Sequence, residues 1–182
     1  EYIRNPVGFP VDVANAAPAL LLSDTLGFDA IGFGTVLESA YGAGHETFRN
    51  YPEGHHFHVW GSLFRGVRLP FFLAVAGMSE VGTSIIVLNT EIGKYAQSCI
   101  RGKRRKPCLN CWKCFRKQLL EKMLNSEELT EEWLDILFGI EEAKRFLSMF
   151  PIKHENVLAY ATSQYSGQHR CLSLLRARVR GD

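Results

Sequence analysis

The chain has 182 residues, of which 46% are hydrophobic and 22% charged, and its formal net charge is +2. That length allows one full core, or one core with a small appendage, and the composition is that of an ordinary soluble globular protein. Near-neutrality excludes a polycation, and the longest apolar run, residues 69–76, is far short of the roughly 20 residues a membrane helix needs.

The chain opens at Glu1 and shows no leader-like segment. This is expected of a fragment, a processed product or the ordered part of something longer, working in the cytoplasm with its thiols reduced. Residues 11–26 are small and apolar and suit a buried helix ending at Gly27, a favoured C-cap residue. Residues 28–36 follow as an apolar run of strand length. Helix, tight turn and a strand ending in glycine is the rhythm of a parallel sheet with crossover helices, in which ligands bind beyond the carboxyl ends of the strands. Gly34, Thr35, Glu38 and Ser39 stand at that position. The alternative is that Gly32 and Gly34 only let a helix pack close.

Residues 41–58 read as a loop, rich in glycine and polar residues. Its histidines, His55, His56 and His58, lack cysteine or carboxylate partners at a recognised metal spacing. A second apolar block, residues 69–77, reads as a buried strand, and residues 78–82 open a short strand and helix over 83–95.

Four cysteines then fall within sixteen residues: Cys99, Cys108, Cys111 and Cys114, spaced C-x8-C-x2-C-x2-C. Three thiols in that register plus one returning from a short loop can complete a tetrahedral site, and a closed four-sulfur shell suits zinc. The competing readings are disulfides, which fit a reduced compartment badly, and an iron–sulfur cluster. The ferredoxin pattern needs a further Cys-Pro, which residues 115–118 do not supply. Arg101, Lys103, Arg104, Arg105 and Lys106 lie between the first two cysteines, and Lys113, Arg116 and Lys117 follow the third. Zinc with four thiolates carries about −2, so some of these cations serve the sulfurs. The cluster at 101–106 exceeds that need; it reads either as a solvated loop or as an anion or nucleic-acid contact.

Beyond Cys114 the pattern is helical. Residues 115–124 carry an apolar stripe, Ser126 and Thr130 each resemble a helix start, residues 134–150 continue at helical spacing up to Pro151, and residues 156–178 form a last helix or two, broken near Gly167. Cys171 reads as a core thiol, with His169 and Arg170 as neighbours that would lower its pKa if it were reactive.

Taken in order, Arg4-Asn5, the glycine-ended strand 31–34 and the cysteine spacing about 65 residues later resemble the C-terminal half of the 7-cyano-7-deazaguanine synthases, over roughly residues 2–120. These belong to the PP-loop (N-type ATP pyrophosphatase) superfamily. The resemblance implies a Rossmann-like α/β PP-loop (HUP-type) parallel sheet fragment over 1–98, a zinc knuckle over 99–118 and a helical part over 119–182. It implies structural zinc on Cys99, Cys108, Cys111 and Cys114, with ATP and Mg²⁺ as further requirements. Arg4 and Asn5 would lie near the substrate pocket, and Lys94, Arg101 and Lys103 would meet phosphate charge.

The implied activity is ATP-dependent adenylation of a carboxylate or amide on a nucleobase-like substrate, followed by attack of ammonia. The superfamily's SGGxDS loop does not occur in these 182 residues, and Glu38-Ser39-Ala40-Tyr41-Gly42 replaces the family's aspartate-containing segment. On the enzyme reading that loop is supplied by a longer protein or a partner chain, and a homodimer fits as well. Two other classes stay open. One is a zinc-stabilised binding module for nucleic acid or protein, such as an antiphage-system component; the other is sulfur transfer to tRNA or a nucleobase. No membrane partner is expected.

Overall fold

The computed structural model describes residues 16–43, 47–96, 98–99, 101–103, 106–163, 165 and 167–180. Helix α1 (Ala17–Leu26) ends on Gly27, whose φ of 65° and ψ of 44° place it in the left-handed region that glycine enters without steric cost. Strand β1 (Ile31–Phe33) pairs in parallel with β2 (Phe71–Leu73), in the register Ile31↔Phe71, Gly32↔Phe72, Phe33↔Leu73. Parallel neighbours need a long crossover. Here it comprises α2 (Leu37–Tyr41), a 3₁₀ turn (Tyr51–Glu53) and α3 (His55–Gly66). Phe33, Phe57 and Phe64 each set a ring edge-on to Phe71, at centroid distances of 5.1, 5.0 and 5.3 Å, a favourable quadrupole geometry that closes a small core under the sheet.

After β2 come α4 (Glu80–Leu88), a 3₁₀ turn (Glu91–Tyr95), α5 (Trp112–Leu124), α6 (Glu131–Phe138), α7 (Glu141–Leu147), α8 (Glu155–Ser163) and α9 (Arg170–Arg180). The main core is built around α5. Phe115 and Leu119 are fully buried among Leu134, Ile152, Leu158 and Leu172. Trp112 stacks between Phe115 and Phe146, and Phe115 meets Phe138 edge-on at 5.3 Å. Leu120, Val81 and Val157 join α4, α5 and α8.

The described residues are thus mostly helical, with a two-stranded parallel sheet and a four-cysteine cluster. Four expectations are corrected. The run 28–36 contributes only three residues of strand, because Gly34 and Val36 lead directly into α2. Residues 55–58 are not loop but the first turn of α3, whose Phe57, Trp60 and Phe64 form one helical stripe towards the sheet. The region 83–95 holds no strand; Ser79 caps α4 by accepting the amide of Gly82 at 3.2 Å. Likewise Ser126 starts no helix, since its φ is +54°, whereas Thr130 caps α6 through the amide of Trp133. Arg4 and Asn5 lie outside the described residues.

Candidate metal centre and adjoining clefts

The four cysteines come together because a short excursion returns on itself before α5. Lys103 and Lys106 form an isolated antiparallel bridge, and Leu109 takes a φ of +59°. Two amides then turn to sulfur: Cys108 N–H donates to Cys99 Sγ and Cys114 N–H to Cys111 Sγ, each at 3.4 Å. Cys111 is the N-cap of α5, so its sulfur sits where the helix dipole favours negative charge.

All four sulfurs lie within 4.8 Å of one another, and Cys108 Sγ is 3.7 Å from Cys114 Sγ. Tetrahedral zinc with bonds near 2.3 Å requires sulfur separations of about 3.8 Å, so the donor set is compatible with a zinc site. The thiols are electrostatically unequal. The amide of Cys108 draws Cys99 down to about 6, whereas burial pushes Cys114 up to about 12. Four thiolates in so small a space demand a cation. The cysteines are the one such group of metal-type ligands among the described residues.

A cleft of about 710 Å³ runs along β1 and past its carboxyl end. One wall carries Gly34, Thr35 and Ser39; the other carries Lys113, Arg116 and Lys117 of α5, with Glu80 and His154 between. Glu80 sets the electrostatics. Burial would raise its carboxyl, but Arg116 at 3.0 Å, Lys117 at 3.6 Å and His154 at 3.6 Å outweigh burial and hold it below the ordinary value. Lys117 also donates to Ser84 Oγ at 2.6 Å.

Of the residues that sequence placed here, Gly34, Thr35 and Ser39 line the cleft. Glu38 does not. It is buried, and its two carboxylate oxygens accept the backbone amide of Glu80, each at 3.0 Å, while Asn156 Nδ2 donates to one of them. A carboxylate at the amino end of α4 is where the helix dipole wants it, so Glu38 fixes α4 and does not meet a ligand. Lys94 is exposed on the 3₁₀ turn, with Nζ 5.1 Å from the Tyr95 ring centre, and lines no described cleft. Lys103 is exposed in the bridge with Lys106, away from the cleft. Arg101 instead reaches Glu142 of α7 and borders a second cleft of about 270 Å³.

Lys113, Arg116 and Lys117 were read from sequence chiefly as counter-charges to the thiolates, and Glu80 and His154 were not singled out. The spacing of 113, 116 and 117 puts three cations on one helical face; that was the available signal. Cys171 is half-buried against the main core, and the neighbouring His169 turns to Asp135 at 3.3 Å.

A family model describing a family of unknown function (DUF6395) matches residues 59–182, more than half of the chain. The chain belongs to the DUF6395 family. No curated protein and no solved structure matches. The DUF6395 span includes all four clustered cysteines, Glu80, His154 and the three cations of α5, and leaves out β1 and the wall made by Gly34, Thr35 and Ser39. Among the described residues no helix is long and apolar enough to cross a membrane.

Proposed function

We propose that this chain is the zinc-braced part of a PP-loop-type enzyme. It would use ATP to adenylate a carboxylate or amide on a nucleobase-like substrate, as the resemblance to the 7-cyano-7-deazaguanine synthases implies. One observation carries the reading: a roomy cleft along β1 and past its carboxyl end, faced by Lys113, Arg116 and Lys117. In α/β proteins that position is where phosphate-bearing ligands lie.

Zinc on Cys99, Cys108, Cys111 and Cys114 supplies bracing and no open coordination position. Its consequence for the site is mechanical, since Cys111 begins the helix that carries the cationic wall. Arg116 is held rigid by Glu80 and lies over the Trp112 ring at 5.4 Å. A guanidinium so fixed stabilises phosphoryl charge without reorganising at the moment of reaction. Lys117 and Lys113 add charge on the same face. The pyrophosphate loop and the ammonia-delivering groups would come from outside these 182 residues.

Calorimetry of the zinc-loaded chain with ATP–Mg²⁺ and with AMP tests this. Saturable binding is expected, weakened about tenfold by Lys117→Met when both proteins are measured well below their melting temperatures. Absence of binding by both nucleotides would remove the enzyme reading in favour of a zinc-stabilised binding module.

A further inference from the structure

The second cleft lies between the cysteine loop and α7, and its lining is unlike that of the first. Arg101, Lys113, Arg116 and Lys153 border it, with Glu142 as its carboxylate and the aromatic pair Trp112 and Phe146 as its floor. Glu142 is answered by Arg101. Among the described residues, Lys113 and Lys153 have no ion-pair partner.

Two donors are also left over. Trp112 and Arg116 are 4% and 3% exposed, and Trp112 Nε1 and Arg116 Nε have no acceptor. Buried N–H groups without acceptors are uncommon and costly, and here both belong to residues lining one small cavity. Donors and cations in excess of acceptors specify a ligand made of oxygen acceptors carrying negative charge.

We infer that this cleft is an oxyanion site for a phosphate-type group, with Lys153, Lys113, Arg101 and Arg116 as its cations and the indole N–H of Trp112 as a neutral donor. The site is separate in composition from the larger cleft, although Lys113, Arg116 and His154 border both. The inference stands apart from the nucleotide reading, because Arg101, Trp112 and Lys153 do not line the larger cleft. The zinc–thiolate charge of about −2 beside Cys99 and Cys111 competes for the same cations, so the ligand is expected to be small and to bind in the millimolar to micromolar range.

The test uses the zinc-loaded chain, with inorganic phosphate as one probe and AMP as the other, read by calorimetry and tryptophan fluorescence. Phosphate should bind saturably. Lys153→Met or Arg101→Met should weaken it about tenfold, and Lys117→Met, which does not line the second cleft, less than twofold. AMP displacing phosphate would identify the phosphate of an organic ligand as the occupant; failure to displace would identify the free ion. Either result supports the site. Phosphate binding that responds to Lys117→Met and not to Lys153→Met would overturn it. So would phosphate failing to bind while Lys153→Met lowers zinc affinity, since the cations would then serve the metal alone.

Discussion

The region around β1 and β2 and the helical region around α5 spend their apolar residues differently. In α1 no residue is buried, Leu21 is 83% exposed, and Phe72 of β2 is 53% exposed. In α5, Phe115, Leu119 and Leu120 are completely buried and the neighbouring helices close over them. Parallel sheets are ordinarily covered on both faces, and a two-stranded ribbon holds little stability of its own. The fully buried apolar side chains are therefore concentrated in the helical region, whereas the sheet region supplies shape: one wall of the larger cleft. The family match covers the whole helical region together with β2 and most of α3, and leaves out β1.

The sharpest way to break this comparison is at the metal. Cys111→Ser removes one sulfur of the four-cysteine cluster while leaving a hydroxyl that can cap α5. About one zinc per chain should be measured in the parent by elemental analysis and lost in the variant, with loss of cooperative melting. Next, Leu119→Ala should cost about 2–5 kcal/mol in urea unfolding, against less than about 0.5 kcal/mol for Leu21→Ala. Equal costs at the two positions would erase the contrast between the regions.

The contact joining the regions comes third. Glu38→Ala strips the acceptor from the amide of Glu80 and from Asn156, and about 1–3 kcal/mol should go with it. The effect should be visible as faster amide exchange at the start of α4. The smallest effect is pH-dependent. Because the folded carboxyl of Glu80 sits below its ordinary value of 4.5, its stabilising contribution is complete above that pH and fades as acid protonates the folded state. Glu80→Gln should therefore make the acid limb of the stability curve shallower than in the parent. An unchanged limb would mean that Arg116 does not hold the charge.

The sequence carried the four-cysteine cluster almost whole, because thiol spacing is a local constraint: Cys108, Cys111 and Cys114 ride one turn and a helix start. Gly27 as a helix end and Thr130 as a cap were legible for the same reason. The role of Glu38 was not. Position pointed to the strand's carboxyl end correctly, but which way a carboxylate turns is decided by α4, forty-two residues further on. Helix α3 was obscured by its His-Gly-rich opening, since Gly54 offers no side-chain cap. His154 could not be foreseen at the cleft at all; a turn between α7 and α8 brings it there.

Cys111 is both a member of the four-cysteine cluster and the cap of the helix bearing the cations. A metal held by that cluster and an anion held by those cations would be linked through a shared backbone, and such linkage runs equally in both directions. Whatever factor zinc contributes to the grip of Lys113, Arg116 and Lys117 on an anion, the anion returns to the retention of zinc. If a bound metal strengthens that grip, the anion would slow loss of the metal to a competing chelator; if the thiolate charge draws the cations away, the anion would hasten it.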